Sequence, residues 1–247
     1  MKELKILYLY PDILDLYGDI GNIKVLKYRL EKRGYNVIID NYSINDPKPD
    51  FKSYDLIFAG GGADNEQQIL ADDLIKYKEE IKEAKDTGVF FLLICGAYQL
   101  FGKYYKGVEG NIIPGLEVFD YYTEANPNRA NRCIGNIVIE AELNGNKTKV
   151  IGFENHGGQT FGIETPFGNV LYGNGNKFGD THEGFMLKNV IATYLHGPLL
   201  SKNPVLTDYI IKYCLERKYN EKIELEPLND ELENKCRLQL IEKLLHK

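Results

Sequence analysis

"VFFLLICGAYQLFG" (residues 89–102) is the stretch whose reading decides the fold class. Apolar residues run unbroken from Val89 to Cys95 and then give way to Gly96 and Ala97. A run without polar alternation suits a strand covered on both faces, as in the middle of a parallel sheet. A cysteine at the end of such a strand, followed by small residues, has the grammar of a nucleophile elbow. The strand holds the residue, the small neighbour permits a tight turn, and the helix that follows aims free N–H groups at the sulfur. That setting favours thiolate, the reactive form. The competing reading is a core sulfur, because free cysteines are often simply buried.

Outward from this strand, the N-terminal half alternates strand and helix signals. "LKILYLY" (4–10), "YNVIIDNY" (35–42) and "YDLIFAGGG" (54–62) read as strands. Between the first two, Ile20, Ile23, Leu26 and Leu30 share one helical face, which stops at Gly34. Residues 65–88 read as one long helix ending in glycine. This βαβ rhythm argues for a mostly parallel sheet flanked by helices. After Pro114 the pattern changes to strands separated by Gly/Asn turns, at 133–143, 148–155 and 168–175, so a strand-rich meander follows. "NVIATYLHG" (189–197) is one more strand, and 203–218 a helix. In the charged tail, Leu232, Cys236, Leu240, Leu244 and Leu245 form an apolar stripe, read as a helix packed on its own domain.

The 247 residues are 43% hydrophobic and 27% charged, with a net charge of -6, which argues against a nucleic-acid surface. No run is long enough to span a membrane or to serve as a secretory core, so a cytoplasmic protein is expected. Four scattered cysteines without a C-x-x-C pair predict no metal site and a reduced compartment.

Three glycines in "AGGGADNEQ" (59–67) suit backbone N–H groups converging on a developing negative charge. No Walker-type or dinucleotide-binding loop is present, so ATP chemistry is not expected on this chain. His196 ends its strand where the carboxyl ends of a parallel sheet gather sites, and could partner Cys95. His156 competes on similar terms. His182, between Asp180 and Glu183, reads as solvent-exposed.

"CGAYQ" (95–99), "GFENHGG" (152–158) and "TYLHGPLL" (193–200) together resemble the class I, triad glutamine amidotransferases, in the cobyric acid synthase-like branch. The segments "LYGDIGN" (16–22), "GGGADNEQ" (60–67) and "NRCIGN" (131–136) are similar to those of the branch's stand-alone glutaminase subunits. The resemblance implies a flavodoxin-like α/β amidotransferase domain over 1–218, with 219–247 as a charged helical extension. It implies hydrolysis of L-glutamine, with Cys95 as nucleophile and His196 as acid and base. It places N–H groups near Gly61 and Gly96 in the oxyanion hole, Arg132 on the glutamine α-carboxylate, and Gln99 and His156 in the pocket wall. Ammonia would pass to a Mur-ligase-like partner in a heterodimer. That partner would hold ATP and Mg and amidate the D-glutamate of the peptidoglycan precursor lipid II. A cobyric acid-type acceptor, a cysteine amidohydrolase working unaided and a silent binding subunit are the alternatives.

The chain departs from the family pattern twice. Ala97 replaces the second glycine of C-G-G, which requires a negative φ there. Pro198 stands where many members carry the glutamate that orients the histidine, so Glu154, another carboxylate of this chain, or one from a partner is expected to do so. A partner's carboxylate would make the isolated chain a poor glutaminase.

Overall fold

In a computed structural model, residues 2–62 and 64–246 are described, with Asp64 and Asn65 described by their backbone alone. Ala63 of the glycine-rich motif and the two terminal residues lie outside them. The first half supplies β1 (Glu3–Leu9), β2 (Asn36–Tyr42), β3 (Leu56–Ala59) and β4 (Phe90–Ile94). The second half adds β5 (Tyr104–Lys106), β6 (Ile112–Pro114), β7 (Tyr122–Ala125), β8 (Cys133–Leu143) and β9 (Asn146–His156). It continues with β10 (Gly158–Phe161), β11 (Gly168–Tyr172), β12 (His182–Glu183), β13 (Phe185–Leu187) and β14 (Val190–Thr193). The helices are α1 (Ile20–Glu31), α2 (Asp64–Leu74), α3 (Lys78–Asp86), α4 (Gly96–Leu100), α5 (Leu199–Lys202), α6 (Pro204–Tyr219) and α7 (Glu231–Leu245).

The central sheet has the order β13-β14-β4-β3-β1-β2. Its strands are parallel except for β13 at one edge. Every residue of β4 is fully buried, which its unbroken apolar run demands. The meander forms two four-stranded sheets, β10-β7-β5-β6 and β12-β11-β8-β9. The long ladder of β8 and β9 sets Cys133 opposite His156 and Gly135 opposite Glu154.

Where one helix was expected over 65–88, a 3-10 turn at Ile75–Tyr77 divides α2 from α3. Side-chain demands outweigh helix continuity there. Asp73 accepts hydrogen bonds from Tyr10 and Tyr42 at 2.8 and 2.9 Å, and the Tyr77 ring packs against Tyr42 and Phe51.

The tail is anchored by charge and by a small apolar cluster. Buried Arg29 of α1 forms ion pairs with Asp208 of α6 and with Asp230 just before α7. Ile241 and Leu244 pack on Val138 and Ile151 of the β8–β9 ladder. The front of the predicted stripe is not packed: Leu232 is 70% exposed.

Candidate active site

β4 delivers Cys95 into a turn with φ 51° and ψ -101°, a backbone region that costs an L residue on the order of 1–3 kcal/mol. The turn is fixed on both sides: the Cys95 N–H donates to Thr193 O at 2.8 Å, and its carbonyl accepts from Gln99 N at 3.0 Å. Ala97 lies in α4 and is not among the positive-φ residues, so the alanine is tolerated. Since α4 is only five residues long, its dipole is a small influence beside the groups that face the sulfur.

The principal one is His196, fully buried three residues beyond β14. Its backbone is pinned to β9 by a reciprocal pair of bonds with Phe153, at 2.9 and 3.1 Å. The His196 Nδ1–H donates to the Asp19 carboxylate, 3.2 and 3.3 Å from the two oxygens. Its Nε2 is buried without a hydrogen-bond partner among the described residues, and Cys95 is the nearby group acting most strongly to raise the ring. Burial alone would push the ring down; the charge on Cys95, then the Asp19 bond, outweigh it and hold the imidazole up at about 10. The arrangement therefore favours the imidazolium form of His196 beside Cys95.

Gly61 shows how closely the three groups meet. A Cβ there would lie 2.6 Å from His196 Cε1, 3.3 Å from Asp19 Oδ2 and 3.3 Å from Cys95 Cβ. Only a residue without a side chain leaves room for them. Beside this point opens a cavity of about 280 Å³, lined by Cys95, Gly62, Gln67, Gln99, Arg132 and His156 among others. A larger hollow of about 1080 Å³ adjoins it and shares Arg132 and Gly157.

The CobB/CobQ-like glutamine amidotransferase domain matches residues 5–204. The chain belongs to this family. Among relatives, the lipid II isoglutaminyl synthase (glutamine-hydrolyzing) subunit GatD of Staphylococcus aureus is 41% identical, covering 99% of this chain and 96% of that protein. The subunit of the same name from Streptococcus pneumoniae is 43% identical over 92% of this chain and 86% of that protein. A probable cobyric acid synthase of Methanococcus vannielii is 32% identical over 57% of this chain, which spans 29% of that longer protein. Two solved structures share the fold: PurLQS from Thermotoga maritima and a glutamine amidotransferase. The first has a TM-score of 0.54 and 16% identity, covering 90% of this chain and 100% of that one. The second has a TM-score of 0.55 and 14% identity, covering 84% and 98%.

The amidotransferase domain gathers Cys95, His196, Gly96, Gln99, Arg132 and His156 around one site, and it separates His156, His182 and His196 from one another in role. His182 is exposed and beside Thr181. His156 lies against the pocket, its ring stacked on Tyr194 at 3.6 Å, and its Nδ1–H donates to Gly158 O at 2.7 Å. Burial pushes it down to about 3, so it is neutral and unsuited to carrying a proton at ordinary pH. Gln99 is braced by Gln67 at 2.7 Å and by Tyr194 at 3.1 Å. Arg132 sits at the exposed mouth, its Nε donating to Asn155 Oδ1 at 3.0 Å.

Of the carboxylates expected to orient His196, it is another one of this chain and not Glu154 that does so, and the Gly61 expectation needs correction. Glu154 does not orient His196: its carboxylate accepts from Asn174 and Gly175, at 2.9–3.0 Å. Asp19 stands at Nδ1 instead, from within the chain. The Gly61 N–H is not free for an oxyanion, because it donates to Asp19 Oδ2 at 2.8 Å. Gly62 lines the cavity with Cys95 and packs closely on Gly96: a Cβ on Gly96 would lie 2.9 Å from the Gly62 nitrogen.

Cys133, Glu154 and His156 bring potential metal-ligating atoms within 4.8 Å of one another. Both Glu154 oxygens are already hydrogen-bonded, so the cluster reads as a buried floor beneath the pocket. Sequence reading missed Asp19, although the segment carrying it, "LYGDIGN", was singled out. It also missed Glu183, the neighbour of a histidine read as solvent-exposed, which is fully buried and accepts from Thr193 Oγ1 at 2.9 Å and from Tyr194 N at 2.7 Å.

Proposed function

We propose that this chain is the glutaminase subunit of a two-component amidotransferase. The observation that carries the reading is the convergence of Cys95, His196 and Asp19 at the edge of a small polar-walled cavity. The Cys95 thiolate attacks the side-chain amide carbon of glutamine, and the N–H groups of Gly62 and Gly96 receive the oxyanion. Imidazolium His196 gives its proton to the departing ammonia, leaving a glutamyl thioester on Cys95. Neutral His196 then takes a proton from water, which attacks the thioester, releases glutamate and restores the thiolate–imidazolium pair. Asp19 holds the ring in the tautomer that leaves Nε2 facing the sulfur, a positioning task. Arg132 grips the α-carboxylate at the mouth, where a guanidinium fork matches the anion.

Ammonia passes to a Mur-ligase-like partner that binds ATP and Mg and amidates the D-glutamate of lipid II, in the cytoplasm. The likeness to the two GatD subunits over most of their length supports this acceptor above a cobyric acid-type one. Among the described residues, no helix is long and apolar enough to cross a membrane. Because Asp19 comes from this chain, the isolated protein should hydrolyse glutamine by itself, and the partner should couple that reaction to synthesis. The test is ammonia and glutamate release by the purified chain and by Cys95→Ala, with and without a co-expressed Mur-ligase-like subunit. Cysteine-dependent release from the chain alone is expected, and silence under every condition would leave a binding subunit.

A further inference from the structure

Tyr17 stands in a backbone conformation that an L side chain adopts at a cost. Its φ of 61° and ψ of 22° lie inside the 3-10 turn Leu16–Gly18, in the left-handed region that disfavours a residue with a Cβ by about 1–2 kcal/mol. The side chain is 44% exposed, so burial is not what holds it there. What it touches is the site. The ring lies edge-on to the fully buried His196 imidazole, with centroids 4.9 Å apart and planes at 70°. Its hydroxyl accepts a hydrogen bond from Asn155 Nδ2, and Asn155 Oδ1 accepts from Arg132 Nε. Asn155 follows Phe153, the residue pinned to His196, by two positions on β9. One strap thus touches the histidine with its ring and reaches the arginine through a single amide.

We propose that Tyr17 is a positioning residue that ties the arginine at the pocket mouth to the acid–base histidine. The ring closes the solvent side of His196 and keeps water from the Cys95–His196 pair. The hydroxyl, through Asn155, fixes the direction of the Arg132 guanidinium. The part concerning glutamine rests on the function proposed above; the shielding of His196 does not.

The charged and titratable groups around the ring come from several elements. Cys95 faces it from the β4–α4 turn, Asp19 from the start of α1 and His156 from β9. Lys202 of α5 approaches behind Gly197. Tyr17 changes none of these charges. Removing its ring admits water, which relieves the burial penalty but also screens Cys95 and Asp19; because their attraction outweighs burial, the net move is down towards the ordinary 6.5.

The test begins with the full chain carrying histidine labelled with carbon-13 at Cε1, in which the His196 signal is the one of four that is lost in His196→Gln. Tyr17→Gly removes the ring and suits the left-handed backbone, so it retains the fold, whereas Tyr17→Phe keeps the ring and loses only the hydroxyl. His196 should hold its proton to about 10 in wild type and in Tyr17→Phe. In Tyr17→Gly it should release the proton at least about one pH unit lower.

The second arm is kinetic. Tyr17→Phe and Asn155→Ala should each raise the KM for glutamine about five- to tenfold with kcat within about twofold, and the double variant should be no worse than either. An unshifted His196 titration in Tyr17→Gly would overturn the shielding. Unchanged KM values, or effects that multiply in the double variant, would overturn the link to Arg132. If wild type turns over no glutamine, the proposed function fails, while the histidine titration still decides whether Tyr17 shields His196.

Discussion

Replacing Asp19 by Asn perturbs one oxygen of a buried site and little else. The His196 ring stands at about 10 against an ordinary 6.5, raised chiefly by Cys95 and in second place by Asp19. An Asp19 share of roughly one pH unit corresponds to about 1.4 kcal/mol, or tenfold. Geometry adds a second loss. An asparagine oxygen at the Oδ2 position could still accept from Gly61 N and His196 Nδ1, but its NH₂ would take the place of Oδ1, now 3.3 Å from Nδ1. Two donors would then face each other between fully buried side chains, worth about 1–3 kcal/mol. Together these predict that kcat/KM falls about 50- to 1500-fold. The basic limb of the pH–rate profile should also move down, because an imidazolium without its carboxylate loses the proton at lower pH. Initial rates of glutamate release across the pH range, with circular dichroism to confirm the fold, read both effects. A variant within about threefold of wild type with an unmoved basic limb would refute the role given to Asp19.

Burial pushes the Glu183 carboxyl up to about 8, against the bonds from Tyr194 and Thr193. The folded chain therefore keeps a proton that the unfolded chain releases above about 4.5, and stability should fall as pH rises between those values, by up to about 1.4 kcal/mol per unit. Glu183→Gln should flatten that slope in urea midpoints measured at several pH values between about 5 and 8; parallel curves for the two proteins would count against it. Cys95→Gly should abolish glutamate release yet raise stability by about 1 kcal/mol in urea titration, because glycine relieves the strained turn. Arg132→Ala should raise the KM for glutamine at least about tenfold with kcat within about threefold, since the grip is made equally in ground and transition states.

The parts of the site legible in the sequence are those in which a few adjacent residues specify a local geometry. Cys95 could be read because an apolar strand meeting Gly96 and Ala97 permits few other shapes. His196 could be placed because a strand end in a parallel sheet has a defined location. Asp19 could not, because a carboxylate 177 positions from its histidine is brought there by the order β4-β3-β1 of the sheet and by no local pattern. The Gly61 error has the same origin: which donor a carboxylate occupies is decided by packing. Glu183 was hidden by its neighbours, since flanking polar residues suggest a wet loop where the fold closes a dry one. The break between α2 and α3 depends on Asp73 meeting two distant tyrosines, and helix periodicity contains no sign of them.

The central claim is that Cys95 carries the glutamyl group. Its most direct measurement is the intact mass of the protein acid-quenched during glutamine turnover, with the modified peptide mapped. The mechanism predicts one glutamyl adduct, on Cys95 and not on Cys133, Cys214 or Cys236, that is lost in Cys95→Ala and accumulates in a variant slow in deacylation. Glutamate release with no adduct on Cys95, or an adduct on another residue, would contradict it.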